Sequence, residues 1–396
     1  MISERHKKLG ENRSTIRELF EYGKILKAEY GAENVYDFSI GNPSIPCPPE
    51  VTETLTGLLT DEDPVALHSY TSSAGDPVTR AAIAEDLNAR FHIGAEAGDI
   101  YMTCGAAASL TITLNATAHA GEEVIIFTPF FPEYKVFAEQ TGATCVFVPL
   151  KAPDFQPDFD ALEAALNEKT ASLIINSPHN PTGSILTAES LERLGNILRK
   201  KEEEVGHAIY LISDEPYREL NYTDTPTPFV TPYYEDTLVC YSYSKSLSLP
   251  GERIGYILVS PSSKDRQALI AAVQGAGRSL GFVCAPSLLQ KAVAKLQGAL
   301  SDISIYNTNR KLLYNGLKEI GYEAVRPDGA FYLFVKVPGG DAVAFSEKAK
   351  KHRLLVVPSD DFGAPGYVRI SYCVETDMIR RSLPAFEALF KEITEE

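Results

Sequence analysis

The chain reads SYSKSLSLPGER at residues 242–253, directly after an apolar, β-prone run at residues 238–241. A second β-prone run, at residues 256–259, follows this segment. Lys245 is therefore expected at the end of a buried strand, where burial disfavours the charged form of its side chain. The residues alone leave two interpretations open: a solvated lysine at a strand end, or a partly desolvated lysine that attacks a carbonyl near neutral pH.

Two other apolar runs also end in polar residues. One leads into SDEPY at residues 213–217, and the other leads into NPTG at residues 180–183. Successive strand ends thus carry Asn180, Asp214 and Lys245. Ligands of parallel sheets bind at the carboxyl ends of the strands, so we expect these three side chains at one site.

Helical and strand-like segments alternate from about residue 77 onward, which predicts an α/β fold with a mostly parallel sheet and helices on both faces. The predicted helices span residues 78–91, 107–118, 133–140, 159–166 and 188–201, and the predicted strands span residues 100–103, 124–127, 145–148, 173–176 and 208–214. Towards the C-terminus the pattern changes to that of a smaller α+β domain. We predict an N-terminal arm at 1–48 that joins the small domain, a large domain at 49–290 and a small domain at 291–396, with a long linking helix over 285–320.

The composition narrows the possible partners. The 396 residues carry a formal net charge of −16, which argues against nucleic acid as a partner because phosphate backbones bind to basic surfaces. The cysteines form no C-x-x-C pair, so no metal site is predicted. The N-terminus is polar and no apolar stretch reaches about 18 residues, so we expect a cytoplasmic protein with no membrane segment.

The order of the motifs resembles one family over nearly the whole chain. Asn-Pro-Thr-Gly comes first, then Asp-x-x-Tyr, then Ser-x-x-Lys with an arginine eight positions after the lysine. This order resembles the class I and II aminotransferases of fold type I, which are similar to aspartate aminotransferase and depend on pyridoxal 5'-phosphate (PLP). The resemblance implies a sheet of the seven-stranded type, PLP as cofactor and a homodimer with shared active sites.

The resemblance also implies roles for catalytic residues. Lys245 would form a Schiff base with PLP and carry the substrate proton. Asp214 would face the pyridine nitrogen and keep it protonated, although a carboxylate that caps a helix explains the same residue. Tyr217 and Asn180 would donate hydrogen bonds to the phenolic oxygen of the ring.

Other residues are implied to bind the rest of the cofactor. The turn Gly105-Ala106-Ala107 follows a strand and opens a helix, whose free amides suit a phosphate; a plain alanine-rich helix start has the same sequence. Ser242 and Arg253 would complete the phosphate site. Phe131 would stack on the pyridine ring; Phe130 is the competing candidate, and core packing is the alternative role. Tyr70 would contact the phosphate bound by the partner subunit.

For the substrate, the resemblance assigns the α-carboxylate to Arg369, with help from Asn180 and the Gly41 backbone. Arg278 is a candidate for the distal carboxylate of a substrate in the partner subunit, and a helix-end or interface arginine is the alternative. The expected reaction moves an amino group from an L-amino acid, either aspartate-like or aromatic and neutral, to a 2-oxo acid such as 2-oxoglutarate.

Other functions share this framework, because fold does not determine reaction. A C–S lyase or a decarboxylase would use the same lysine and cofactor. A transcriptional regulator with an aminotransferase-like domain would need a basic DNA-binding module, and the roughly forty residues before Gly41 and the acidic net charge argue against one.

Overall fold

The computed structural model describes residues 2–11 and 15–395, so residues 1 and 12–14 of the predicted arm lie outside the described residues. The α-helices are α1 (Glu4–Glu11), α2 (Thr15–Tyr30), α3 (Pro49–Asp61), α4 (Pro64–His68), α5 (Pro77–Phe91), α6 (Ala106–Thr117), α7 (Glu133–Gln140), α8 (Phe159–Ala165), α9 (Ala188–Val205), α10 (Tyr243–Ser246), α11 (Arg266–Leu280), α12 (Ser287–Lys295), α13 (Ser304–Ile320), α14 (Ala342–Lys351) and α15 (Thr376–Thr394). The β-strands are β1 (Tyr36–Asp37), β2 (Ile100–Thr103), β3 (Glu123–Thr128), β4 (Thr144–Lys151), β5 (Gln156–Pro157), β6 (Thr170–Asn176), β7 (Tyr210–Asp214), β8 (Thr237–Ser242), β9 (Gly255–Val259), β10 (Glu323–Ala324), β11 (Tyr332–Lys336), β12 (Leu354–Leu355), β13 (Val357–Pro358) and β14 (Tyr367–Ser371).

The large sheet has the strand order β2-β9-β8-β7-β6-β3-β4-β5. Strands β8, β7, β6, β3 and β4 pair in parallel, whereas β9 runs antiparallel between β2 and β8. The two-residue strand β5 pairs antiparallel with β4 and adds a short eighth strand to the seven expected. The predicted α/β class with a mostly parallel sheet is confirmed.

Helices cover both faces of this sheet. On β6, Leu173 packs in the cluster that contains residues of α8 and α9, whereas its neighbour Ile174 packs in the cluster that contains residues of α6 and α7. Every residue of β6 and of β8 is buried. Strands buried on both faces need continuous apolar runs, which explains why these segments lack the alternation of a half-exposed strand.

The smaller domain contains an antiparallel sheet of order β10-β11-β14-β13. Helices α13, α14 and α15 contribute Leu313, Phe345 and Phe386 to the core that this sheet shares with the N-terminal arm. The arm joins it through the parallel pairing of β1 with β12. The predicted smaller α+β domain is confirmed, and its exact boundaries stay a prediction.

The predicted linking helix over 285–320 is wrong as one continuous element. The structure has two helices there, α12 and α13, separated by residues 296–303. Gly298 adopts a φ of +81°, which does not continue a right-handed helix. The Ser301 amide then donates a hydrogen bond to the Ser246 carbonyl of the large domain, 2.8 Å away. The break therefore ties the linker to the turn that carries Lys245.

Among the described residues, no helix combines the length and the apolar composition that a membrane crossing requires. Cytoplasmic localisation stays a prediction from the sequence.

Candidate active site

The ends of strands β6, β7 and β8 form the floor of the candidate site. Asn176 of β6 pairs with Asp214 of β7, which in turn pairs with Cys240 of β8. The Asn176 side chain donates a hydrogen bond to the Asp214 carbonyl at 2.8 Å and accepts one from the Asn180 amide at 2.7 Å. The NPTG turn is thereby fixed against the end of β7. Asn176 is a positioning residue that the sequence analysis missed.

Asp214 is a buried carboxylate with one free oxygen. Its Oδ2 accepts a hydrogen bond of 2.5 Å from the Tyr134 hydroxyl, and its Oδ1 has no hydrogen-bond partner among the described residues. Burial raises the pKa of Asp214 to about 7, and the hydrogen bond from Tyr134 opposes this shift. A buried acceptor without a partner is rare in native proteins, and a cationic N–H donor would both satisfy it and favour its charged form.

Lys245 lies in the short helix α10, directly after β8, and is partly buried. Its Nζ donates a hydrogen bond of 2.7 Å to the Gly41 carbonyl and lies 5.3 Å from the centre of the Phe331 ring. Burial lowers the pKa of Lys245 to about 8. A larger fraction of this amine than of an ordinary lysine is therefore unprotonated near neutral pH, the state in which a lysine is nucleophilic.

The turn before α6 offers an anion site. Gly105 is the N-cap residue with φ +86° and provides no side-chain cap, so the first amides of α6 lack partners within the helix. A Cβ added at Gly105 would lie 2.9 Å from Nη2 of Arg253, so the guanidinium lies beside this turn. Ala106 is partly exposed and Ala107 is exposed. The positive end of the helix dipole and the guanidinium both favour a negative ligand.

Ser242 lies at the same end of the sheet. A Cβ on Gly255 would lie 3.0 Å from Cα of Gly105 and 3.3 Å from Cα of Ser242, so the backbones of these three residues meet closely. The Ser242 hydroxyl is within 2.7 Å of the Ser244 hydroxyl. The structure therefore brings Ser242, at the end of β8, close to the turn before α6, beside which Arg253 also lies, while the phosphate-binding role of these residues stays a prediction.

The packing of Phe130 differs from that of Phe131, the other candidate for the ring that stacks on a ligand. Phe130 is buried and stacks on Phe147 at 5.1 Å between ring centres, as a core residue does. Phe131 is only partly buried and meets the Tyr134 ring edge-on at 5.6 Å. Because Tyr134 binds Asp214, Phe131 is one side chain away from the carboxylate. This packing favours Phe131 over Phe130 as the ring that stacks on a ligand.

Arg369 of β14 is a buried arginine aimed at the large domain. Its Nη1 donates to Oδ1 of Asn180 at 3.2 Å and its Nη2 donates to the Ser39 carbonyl at 2.7 Å. Its Nε has no partner among the described residues. The guanidinium also lies over the Tyr332 ring, 4.7 Å from its centre. The structure thus brings Arg369 and Asn180 together and leaves the Nε–H group of the arginine without a partner among the described residues.

A pair of tyrosine hydroxyls, Tyr217 and Tyr332, lies beside these residues. Their oxygen atoms are 2.9 Å apart. A Cβ added at Gly41 would collide with the Tyr332 hydroxyl, which explains the glycine at this point of the arm. Tyr332 was missed in the sequence analysis because its segment has only the pattern of a core strand.

Tyr70 and Arg278 do not join this cluster within one chain. Tyr70 is 95% exposed, and Arg278 is exposed in the last turn of α11. No hydrogen bond or ion pair connects the Arg278 side chain to the other described residues. The single chain therefore leaves the roles of both residues as predictions.

Comparisons with known proteins identify the family. The model of the aminotransferase class I and II family matches residues 33–386. An aspartate aminotransferase of Pyrococcus horikoshii is 31% identical over 95% of this chain and 94% of its own length, and aromatic-amino-acid aminotransferase 2 of Thermococcus litoralis is 29% identical over 96% of each chain. The solved structure of an aminotransferase from Eubacterium rectale has a TM-score of 0.97 and 56% identity over 99% of each chain. The protein therefore belongs to the class I and II aminotransferases, and it is a transaminase.

Proposed function

We propose that this aminotransferase binds PLP and uses it to move an amino group from an L-amino acid to a 2-oxo acid, with 2-oxoglutarate as the expected acceptor. The observation that carries the proposal is the combination of Lys245, with a pKa lowered to about 8 by burial, and Asp214, with one free buried oxygen. An amine that loses its proton near neutral pH attacks an aldehyde, and a buried carboxylate binds a cationic N–H donor. Members of this family depend on PLP, which offers both groups.

The residues of the site fit this cofactor. Oδ1 of Asp214 would accept from the protonated pyridine nitrogen, which satisfies the free carboxylate oxygen. The amides after Gly105, the Ser242 hydroxyl and the Arg253 guanidinium would hold the phosphate. Phe131 would contact a face of the ring. The bound cofactor supplies an electron sink for the electron pair left at Cα when the substrate loses its proton.

Tyr217 and Asn180 are the proposed donors to the phenolic oxygen of the cofactor. Burial raises the pKa of Tyr217 well above its usual value, so its hydroxyl stays protonated and available as a donor. The Asn180 side chain is buried, and its carbonyl oxygen is engaged by Arg369, which turns its amide group away from that arginine. Donors at an anionic oxygen stabilise it by charge-assisted hydrogen bonds.

Lys245 is the proposed proton carrier at Cα. Its lowered pKa keeps both protonation states populated near neutral pH, so one Nζ atom serves as the base that takes a proton and as the acid that gives it back. Arg369 holds the α-carboxylate through its free Nε, with Asn180 beside it. This binding fixes the substrate so that the Cα–H bond stays within reach of the lysine.

The amino donor is aspartate-like or aromatic and neutral. Relatives of both names, aspartate and aromatic-amino-acid aminotransferases, align over nearly the whole chain. In our proposal the active unit is a homodimer in which Tyr70 and Arg278 serve the site of the partner subunit. The high exposure of Tyr70 in one chain supports this arrangement, since a large aromatic side chain left in water forgoes favourable burial.

The lysine is tested by chemical trapping. The purified protein is incubated with PLP, reduced with borohydride, digested and mapped by mass spectrometry. We expect a pyridoxyl label on the peptide that contains Lys245, and loss of the label in the Lys245→Ala variant. Lys264→Ala is the matched control, because that lysine is more than half exposed on the surface of the large domain. A label elsewhere, or none, overturns the cofactor site.

The reaction is tested with a panel of amino acids. Each is added with 2-oxoglutarate, and the new 2-oxo acid and glutamate are measured together. We expect the two products in equal amounts. When the acceptor is left out, we expect no more 2-oxo acid than a single turnover of the enzyme provides. Continuous release of pyruvate from cysteine conjugates without acceptor would instead identify a C–S lyase, and release of carbon dioxide would identify a decarboxylase.

A further inference from the structure

Tyr332 lies where three parts of the site meet. It is the first residue of β11 in the small domain and is only 3% exposed. Its hydroxyl is 2.9 Å from the hydroxyl of Tyr217, which follows β7 of the large domain. Its ring lies under the Arg369 guanidinium, and its hydroxyl abuts Gly41 of the N-terminal arm. A single side chain thus contacts a proposed cofactor-binding residue and two proposed substrate-binding residues.

The hydroxyl groups of Tyr217 and Tyr332 each carry one hydrogen atom. Burial raises the pKa of Tyr332 to about 12 and that of Tyr217 well above its usual value, so both phenols stay protonated. A phenol has one hydrogen to donate, so in the pair one oxygen donates and the other accepts. When Tyr217 gives its hydrogen to an anionic oxygen of a ligand, the Tyr332 hydroxyl is the donor that faces the Tyr217 oxygen.

We propose that Tyr332 is a positioning residue: it donates its hydroxyl hydrogen to Tyr217 and so directs the Tyr217 hydrogen to the phenolic oxygen of the cofactor. This inference rests on the proposed function. Consecutive hydrogen bonds polarise one another, so a donor behind Tyr217 strengthens the bond that Tyr217 itself makes. The consequence is electrostatic: the anionic form of the phenolic oxygen becomes more stable.

The direction of the effect can be measured without turnover. A stronger donor at the phenolic oxygen stabilises the deprotonated form of the lysine-bound cofactor and lowers its apparent pKa, which is read from its absorption spectrum as pH is changed. Tyr332→Phe removes the donor and keeps the ring under Arg369. We expect the apparent pKa of the chromophore to rise by about 0.5 unit, as suits the loss of one neutral hydrogen bond.

A double variant separates the hydrogen-bond chain from a general packing role. Tyr217→Phe should raise the apparent pKa by more than Tyr332→Phe does. Adding Tyr332→Phe to Tyr217→Phe should then change nothing further, since the receiving hydroxyl is gone. Additive shifts, or no shift in Tyr332→Phe, overturn the proposal. KM for the amino acid should change less than about twofold, because the ring that supports Arg369 remains.

The matched control is Tyr372→Phe, which removes the hydroxyl of another fully buried tyrosine of the small domain. That hydroxyl donates to the Ala330 carbonyl at 3.3 Å, and we expect no spectral shift from its loss. Gly41→Ala is the second variant, because its methyl group would displace the Tyr332 hydroxyl. It should shift the spectrum in the same direction even if Tyr332→Phe folds poorly, and an unshifted Gly41→Ala protein counts against the proposal.

The two proposals fail in different ways. Absence of any lysine-bound chromophore in the wild-type protein refutes the proposed cofactor site. A normal chromophore whose pH titration is the same in the wild-type and Tyr332→Phe proteins refutes only the positioning role.

Discussion

Arg369 donates a hydrogen bond from Nη1 to Oδ1 of Asn180 across 3.2 Å, and this contact joins the small-domain sheet to the end of β6 in the large domain. A second bond, from Nη2 to the Ser39 carbonyl, holds the guanidinium from the side of the arm. These two contacts therefore hold the Arg369 guanidinium in one orientation within the chain itself. Preorganisation of this kind saves the entropy of ordering a long side chain during binding.

Arg369→Lys is expected to impair substrate binding. A lysine cannot reproduce the planar guanidinium that reaches Asn180 and Ser39 at once and still offers a further N–H. We expect kcat/KM for the amino acid to fall by about 10²-fold, mainly through KM, while PLP stays bound. Arg326→Lys is the control, because that side chain is 70% exposed in the same domain. Equal losses in the two variants would contradict the carboxylate role.

Asp214→Asn tests whether the buried carboxyl group of Asp214 has a raised pKa. The test is the pH dependence of the stability of the cofactor-free protein. Burial raises the pKa of Asp214 to about 7, whereas an unfolded chain has the ordinary value near 4. Between these values the folded protein binds more protons than the unfolded chain, so its stability falls as pH rises. An asparagine carries no such proton.

We therefore expect the free energy of unfolding of Asp214→Asn to equal that of the wild type near pH 4 and to exceed it increasingly up to about pH 7. Above that pH the difference should stay constant. Urea unfolding of both proteins at several pH values measures it. With PLP bound, the wild type should regain the advantage, since the charged carboxylate then has a cationic partner. A constant difference at all pH values would mean that Asp214 has an ordinary pKa.

Gly105→Ala is expected to weaken cofactor binding. The residue has φ +86° and ψ 175°, a region that side chains with a Cβ avoid, and the new methyl group would press on the Arg253 guanidinium. We expect the dissociation constant for PLP to rise about tenfold or more, measured by absorbance titration. Gly98→Ala is the control, because a Cβ there meets nothing within 4 Å. Unchanged PLP affinity in Gly105→Ala would exclude this turn from the cofactor site.

Three of the residues that the sequence analysis assigned to the site share one property: each comes after a continuous apolar run. Asn180, Asp214 and Lys245 come after runs that are buried on both faces of the sheet, and such runs are visible in a single sequence. The strand ends then meet at one edge, because parallel strands in one sheet point the same way. The α/β class and this part of the site were therefore predictable.

Contacts between distant segments were not predictable in this way. Tyr134 reaches Asp214 across 80 positions, and Tyr332 reaches Tyr217 across 115 positions, without any local pattern that marks either tyrosine. The break between α12 and α13 was not predicted, for a related reason. A glycine in an otherwise helical pattern is compatible with a continuous helix, and the hydrogen bond from Ser301 to the Ser246 carbonyl depends on the tertiary fold.

Arg278 is expected to select dicarboxylic substrates at the site of the partner subunit. In one chain its side chain is exposed and has no hydrogen bond or ion pair with the other described residues, so it is available to a site across an interface. We expect Arg278→Ala to lower kcat/KM for aspartate by about 10²-fold and to leave neutral amino acids nearly unchanged, because only the distal carboxylate loses its partner. Equal losses on both substrate types would reject the role.

Hybrid dimers decide whether Arg278 acts across the interface. Chains with Lys245→Ala are mixed with chains that carry Arg278→Ala, so that a hybrid has one intact lysine and one intact arginine on different chains. If Arg278 serves the partner, the site with the intact lysine receives the intact arginine, and aspartate turnover reappears although neither parent dimer shows it. If Arg278 acts within its own chain, no site in the hybrid holds both groups and only turnover of neutral amino acids persists. The two chains carry different affinity tags, and dimers with both tags are isolated before turnover is measured, so a lack of hybrid formation cannot be mistaken for action within one chain.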